Sequence, residues 1–381
     1  MEIKIISTEI IKPSSPTPAH LRTHKFFLPD NVSFSGYFPV ILFYTVQSED
    51  SMKISSYLKN CLSKTLTYYY PLAGKIKDGV STDCNDHGAI FIETQVVVGE
   101  MYKLIQKRDS NMFKQLIPMK AAYFVKSWAE VARGANDIKD AIVDYSYIHP
   151  PYDAYASLRS LYEQNHHHYS PTEITGKYFM LDGDKIADLR EKIGSEPHLD
   201  HPTRFEAITA LILSTLIKNA DKETHEFTIK QLAAVISINL RNRVNPPLPP
   251  QCLGNLVTTT IVKFPIDKEI DCRYLAAEVH KSIRSVIDQY KRNMHVDGLD
   301  KGLANSTVIN FSDMSRMPFY EADFGWGKPT LLSFIPLSAK IACLMPTNDG
   351  VGVEAFITLP KKEMAKFEQD PEFVSYTKPF V

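Results

Sequence analysis

Apolar and polar positions alternate along this chain in patterns that mark out strands and helices. Residues 2–10 alternate, carry Ile3 and Ile5 and are rich in β-branched side chains, which predicts a first strand. The run from Ile11 to Pro18 holds three prolines and ends it, since proline cannot sit in a regular ladder. Phe38 to Tyr44 is a short apolar run that predicts a buried strand. From Ile54 the positions Ile54, Leu58, Cys61, Leu62, Leu66 and Tyr69 fall on one helical face, and Tyr70-Pro71-Leu72-Ala73-Gly74 breaks the helix. Cys84 to Gly88 reads as a turn with His87 on the surface, followed by a β-rich strand from Ala89 to Val98. Ala121, Val125, Trp128, Ala129 and Ala132 form the stripe of an amphipathic helix that Gly134 caps.

The second half is patterned as clearly. Lys177 to Leu181 predicts a strand, and Gly183 to Ile193 a helix with Ile186, Leu189 and Ile193 inward. Thr203 followed three residues later by Glu206 is a capping box that opens a long buried helix. Leu232 to Leu240 suits a central strand covered on both faces, and Cys272 to Lys291 a helix with Leu275, Val279, Ile283 and Ile287 inward. Strands are expected over 331–334, 339–345 and 351–359, the last half-buried because Val351, Val353, Ala355, Ile357 and Leu359 alternate with other types. A closing helix falls near 361–367.

Length makes this too much chain for one core: 381 residues fit two domains of roughly 150–200 residues. With 43 basic against 44 acidic side chains, no strong field favours nucleic acid or an anionic membrane, so a small-molecule partner is expected. Five scattered cysteines without a CxxC suit free thiols in a reducing compartment. No apolar stretch reaches the length of a membrane span, and the expected location is cytoplasmic.

The least accidental stretch is Asp323-Phe324-Gly325-Trp326-Gly327-Lys328-Pro329, which sets one of only two tryptophans between glycines that allow a tight turn and close approach. A kinase metal site is excluded, because no Gly-rich phosphate loop or H-R-D segment lies upstream. The basic pair Arg241 and Arg243 follows the predicted central strand, where guanidinium groups can hold phosphates or neutralise a carboxylate.

Together these seven residues resemble the C-terminal signature of the plant BAHD acyltransferases. Ile11-Lys12-Pro13-Ser14-Ser15-Pro16-Thr17-Pro18, Leu62 to Lys75, Thr203-Arg204-Phe205-Glu206, and Asn239-Leu240-Arg241-Asn242-Arg243 with its prolines resemble further elements of the family, particularly its alkaloid acetyltransferases of the vinorine synthase kind. The resemblance implies an α/β (α+β) fold of two chloramphenicol-acetyltransferase-like domains, each a mixed sheet with flanking helices, facing across a channel. Residues 1–160 would form the first domain, 161–176 (including the polar stretch Asn165 to Pro171 with its histidine triplet) a crossover linker, and 177–381 the second. It further implies a monomer that moves an acyl group, acetyl foremost, from acyl-CoA to a hydroxyl of an alkaloid or similar plant metabolite, without a metal. In the family the first arginine pairs with the aspartate of the signature, so Arg241 is expected to hold Asp323 and make it a scaffold residue more than a proton shuttle; Arg241 and Arg243 are the candidates for coenzyme binding.

One family element has no counterpart. In relatives, a proline-marked loop and the tryptophan helix are separated by a strand, a Cys-Gly-Gly-type turn, a second strand and the catalytic histidine of H-x-x-x-D. Here Ile117-Pro118-Met119-Lys120 runs straight into Ala121, so two core strands and the general base are expected to be lacking near 119–121. The one H-x-x-x-D in the chain is His149-Pro150-Pro151-Tyr152-Asp153. Its spacing suits a base oriented by a carboxylate, yet it follows the tryptophan helix and its prolines suit a turn, where the family carries a structural phenylalanine. Two functions therefore compete: an acyltransferase impaired by the loss, and a catalytically inactive binding or regulatory paralogue, or truncated product, on the same scaffold. A hydrolase is disfavoured, since no G-x-S-x-G elbow is present.

Overall fold

A computed structural model describes residues 2–26, 40–45, 51–77, 81–97, 122–135, 138, 141–142, 173–194, 199, 201–220, 231–268, 270–292, 303, 306–334 and 339–379. The chain divides into two compact units. The first comprises residues 1–149, 248–255 and 318–333, the second 150–247, 256–317 and 334–381. This partition interleaves the chain, whereas the sequence reading drew contiguous domains; most of the expected linker, 161–172, lies outside the described residues.

In the first unit the elements are β1 (Glu2–Ile11), β2 (Thr23–Lys25), β3 (Val40–Phe43), α1 (Ser51–Tyr68), β4 (Lys75–Ile76), β5 (Ser81–Asp83), β6 (Ala89–Val97) and α2 (Ala122–Ala132). β1 and β6 form an antiparallel ribbon, β2, β5 and β4 a small sheet, and β3 pairs with β11 (Leu331–Phe334). The predicted stripe of α1 is its inner face, with Cys61, Leu62, Leu66 and the following Tyr69 buried. The proline run after β1 is tied to that helix. Ser14 donates its backbone N–H to the Ser63 carbonyl (3.0 Å), and Ser63 Oγ donates to the Lys12 carbonyl (2.7 Å). Thr17 binds both carboxylate oxygens of Asp86 in the 84–88 turn, at 3.0 and 2.5 Å, while His87 is exposed. At the end of α2, Gly134 adopts φ +99° and Ala135 N–H reaches back to the Glu130 carbonyl at 3.0 Å, the closure expected of a glycine after a helix.

One face of the β1–β6 ribbon lies against α1, where Lys59 bridges Glu9 and Glu93 and sits over the Phe91 ring. The opposite face exposes isoleucine. Ile10 and Ile90 stand directly opposite each other, 51% and 64% exposed, with Ile92 beyond them at 43%.

The second unit is built on one seven-stranded sheet of β7 (Ile174–Leu181), β8 (Gln231–Asn239), β9 (Val257–Pro265), β10 (Ser306–Asp313), β12 (Ile341–Pro346), β13 (Val353–Pro360) and β14 (Lys378–Pro379), in the order β14-β7-β13-β12-β10-β8-β9. β8, β10 and β12 run parallel, so their carboxyl ends share one edge; the pairs β12–β13, β13–β7 and β8–β9 are antiparallel. The helices are α3 (Gly183–Ile193), α4 (Arg204–Lys218), α5 (Cys272–Lys291), α6 (Lys361–Phe367) and α7 (Pro371–Tyr376). The capping box of α4 is complete: Thr203 Oγ1 accepts the Glu206 N–H at 3.2 Å, and Glu206 Oε2 accepts the Thr203 N–H at 2.7 Å. β8 is buried on both faces, as its apolar run predicts. β13 corrects the sequence reading, because all eight of its residues are buried, Glu354 and Thr358 included, and Val351 falls outside it, exposed. An internal strand between β12 and β7 has both faces covered whatever its alternation suggests. All five cysteines are buried free thiols, and burial pushes those of Cys272 and Cys343 up to about 12, so neither serves as a nucleophile at neutral pH.

Candidate functional site

The 323–329 loop belongs to the first unit, although it lies late in the sequence. Gly325 and Gly327 both take φ +105°, a conformation side-chain-bearing residues rarely adopt. A Cβ would meet nothing within 4 Å at Gly327 and only Tyr57 Oη, at 4.0 Å, at Gly325. The glycines are thus needed for backbone conformation, and among the described residues none makes the close approach expected at these positions. Asp323 Oδ1 accepts the N–H groups of Gly325 at 2.8 Å and Gly327 at 3.0 Å, folding the loop over its own carboxylate.

Aromatic packing anchors this turn. Phe324 is 5% exposed and stacks on Trp326 with centroids 5.7 Å apart and planes at 19°. Trp128 of α2 meets Phe324 edge-on, and Tyr44 and Tyr57 meet Trp326 in the same manner, at 6.4 and 6.0 Å. Tyr44 Oη donates to the Ala322 carbonyl at 2.6 Å; burial, with a smaller contribution from the Asp323 charge, pushes its pKa far up and keeps the phenol neutral. Arg133, just past α2, donates to the Asp323 carbonyl. Lys126 pairs with Glu321 at 2.5 Å. Tyr69, the last position of the predicted helical stripe, places its hydroxyl 3.1 Å from Ser127 Oγ and 3.0 Å from the Gln251 carbonyl, tying 248–255 to the same core. The Trp326 Nε1–H is buried without a hydrogen-bond partner among the described residues. These contacts make the loop a fixed scaffold, with an Asp323 oxygen engaged by the main chain.

Arg241 and Arg243 lie in the second unit, in the turn after β8. The Arg241 N–H and Nη1 approach Asn239 Oδ1 at 3.1 and 3.4 Å, and Arg243 Nη1 donates to the Asn239 carbonyl at 2.6 Å. The expected pairing of Arg241 with Asp323 joins residues of different units and stays an expectation. His149 and residues 118–121 lie outside the described residues, as does the histidine triplet 166–168. An imidazole–carboxylate pair that the sequence reading missed is His280 of α5, whose Nδ1 stands 3.0 Å from Glu206 Oε1. Glu206 was legible as a capping residue, but its second partner is 74 positions away and leaves no local signal. Because the other Glu206 oxygen caps α4, the pair braces two helices. Among the described residues no group of three His, Cys, Asp or Glu could hold a metal ion, and no helix is long and apolar enough to cross a membrane.

Comparison with known proteins agrees with this anatomy. The chain is 41% identical over 429 residues to epi-neemfruitin B synthase of Melia azedarach, covering 99% of this chain and 98% of that protein. It is 40% identical over 437 residues to limonoid 1-O-acetyltransferase of Citrus sinensis (99% and 98%), and 28% identical to vinorine synthase of Rauvolfia serpentina (96% and 96%). The crystal structure of vinorine synthase matches with a TM-score of 0.74 at 24% identity, over 100% of this chain and 99% of that one. That of F. graminearum TRI101 with coenzyme A and T-2 mycotoxin matches with a TM-score of 0.71 at 12% identity, over 94% and 100%. Both establish the fold. A sequence model of the Transferase family matches residues 1–123 and 119–374, and with it the chain belongs to that family, the BAHD acyltransferases its motifs resemble.

Proposed function

We propose that the chain is an acyl-CoA-dependent O-acyltransferase, with acetyl-CoA as donor and a hydroxylated limonoid-type metabolite as acceptor, slowed by the lack of its general base. The observation that carries this reading is the likeness to acetyltransferases along nearly the whole chain. Three relatives named as limonoid acetyltransferases share 36–40% identity, against 28–29% for stemmadenine O-acetyltransferase and vinorine synthase, which favours a limonoid over an alkaloid acceptor. In the reaction the acceptor oxygen attacks the thioester carbonyl, the C–S bond breaks, and the hydroxyl proton ends on the coenzyme thiol. A histidine that takes that proton contributes typically about 10²- to 10⁴-fold.

Three observations support a segment missing between Pro118 and Ala121. The alignment to the Melia relative spans 429 residues on a chain of 381. The family match breaks into two parts that meet at 119–123. And the β1–β6 ribbon carries an exposed isoleucine face, as a sheet deprived of neighbouring cover would.

The test compares this chain with a chimera that carries the Melia relative's residues at this junction, each incubated with acetyl-CoA and a panel of hydroxylated limonoids and alkaloids. Slow acetylation of a limonoid, raised by about 10²-fold or more in the chimera, is the expected result. Coenzyme binding with no turnover in this chain would turn the assignment to a binding protein. An unmodified chain as fast as the chimera would overturn the missing-base reading, and His149→Ala would then show whether His149 serves instead.

A further inference from the structure

β1 pairs with β6 along one edge, and its other edge has no partner among the described residues. From Lys4 to Ile10 every side chain but that of Ser7 is exposed, with Ile5 at 63% and Ile6 at 52%. A row of open N–H and C=O groups beside uncovered isoleucines is a template for a further strand, and two strands alone make only a marginal sheet.

Which strand fits can be read from β1 itself. Its register with β6 pairs Lys4 with Gln95 and Ile5 with Thr94 on one side of a bulge, and Ser7 with Glu93, Thr8 with Ile92 and Glu9 with Phe91 on the other; Ile6 is the extra residue. Lys59 of α1 meets Glu9, Glu93 and Phe91, so these mark the face toward α1. Counting along β6 by twos puts Gln95, and with it Lys4, on the same face. Lys4 and Glu9 thus share a face although they stand five positions apart, which an unbroken strand would not allow. An antiparallel copy of β1 centred between residues 6 and 7 then sets Lys4 opposite the partner's Glu9, and Glu9 opposite the partner's Lys4. On the other face Ile5 stands opposite the partner's Thr8, and Ile10 lies diagonally beside the partner's Ile5. Lys59 and Ser7 both bind Glu9 Oε1, and the carboxylate is 48% exposed, so Oε2 can receive a second ammonium.

We propose that the outer edge of β1 is an interface with a second copy of this chain, the two strands joining about a two-fold axis into a four-stranded sheet β6-β1-β1-β6. The occupant is a like chain because the edge is complementary in charge to itself, with opposite-sign pairs at both ends of the contact. This is independent of the acyl-transfer reading, and it replaces the monomer that the family resemblance implies.

Sedimentation equilibrium of the full chain from about 1 to 100 μM tests it, with a monomer–dimer equilibrium expected. Lys4→Glu places like charges opposite each other at both ends and should weaken association by about 10-fold or more, as should Glu9→Lys. An equimolar mixture of the two variants restores both opposite-charge pairs, so a heterodimer should form where neither variant associates with itself. Circular dichroism checks each fold, and Lys4→Glu suffices as the test if Glu9→Lys, whose new ammonium faces Lys59, does not fold. A monomer across the whole range overturns the interface. So does a dimer that charge reversal leaves unweakened, since its contact must lie elsewhere. A monomer that floats with neutral phospholipid vesicles also overturns it and gives the isoleucine face to a lipid surface.

Discussion

The indole of Trp128 meets the ring of Phe324 edge-on, with centroids 5.1 Å apart and planes at 83°. Through this contact α2 holds the glycine-flanked turn, although the two residues stand far apart in sequence. Phe324→Ala should therefore destabilise the protein by about 3–5 kcal/mol in denaturant unfolding, as expected for a buried aromatic ring. A double-mutant cycle with Trp128→Ala should return a coupling of about 0.5–1.5 kcal/mol. A coupling of zero would mean that the rings are neighbours without mutual support.

Two backbone N–H groups donate to Asp323 Oδ1, which supports a scaffold role for this carboxylate and makes that role testable. Asp323→Asn keeps an oxygen acceptor there and should cost less stability than Asp323→Ala, which gives up two hydrogen bonds to exposed N–H groups that water can satisfy, at about 0.5–1.5 kcal/mol each. Acetyl transfer, wherever it is measurable, should follow stability through this series. A proton-shuttling aspartate would instead lose turnover in the asparagine variant while its melting temperature held.

Trp326 presents a buried indole N–H without a partner among the described residues. Replacing a partnered tryptophan by phenylalanine sacrifices a hydrogen bond, but here Trp326→Phe removes an unsatisfied donor and keeps the stacking partner of Phe324. The change should be neutral or stabilising within about 1 kcal/mol, read as a shift in urea midpoint. A loss of 2 kcal/mol or more would reveal a partner for the indole.

Glu372 of α7 receives Lys192 at 2.8 Å and also binds Lys218. Burial acts to raise its pKa, but the two ammonium groups more than offset this and leave it below the usual 4.5. A carboxylate depressed in the folded state contributes stability that is full above its unfolded pKa and is lost as pH falls through the folded one. Stability should thus decline below about pH 4.5, and Glu372→Gln should flatten that acid limb. Since both lysines are substantially exposed, the difference should shrink in high salt.

How much was legible depended on whether the signal was local. Gly183–Ile193 and Cys272–Lys291 carry their inward residues at helical spacing and fold over the expected ranges. The Thr203–Glu206 cap could be read from two letters and their separation. β9 escaped notice because two of its four inward positions, Thr258 and Thr260, are threonines whose hydroxyls find partners only in the folded unit. β13 looked half-buried because alternation reports the side chains and not the layers laid over them. For the 323–329 loop the sequence announced a tight turn, yet nothing local revealed that Asp323 would close it through its own glycines, or that Arg133 would grip its carbonyl.

The strand β11 and the loop before it complete a unit whose other parts lie mostly within the first 149 residues. A chain growing from its amino end must therefore keep α1 and α2 waiting, aromatic faces uncovered, until residue 333 has left the ribosome. Synthesis is slow, about 5–20 residues per second, so this interval lasts about 10–40 s and is when chaperone protection of those faces matters.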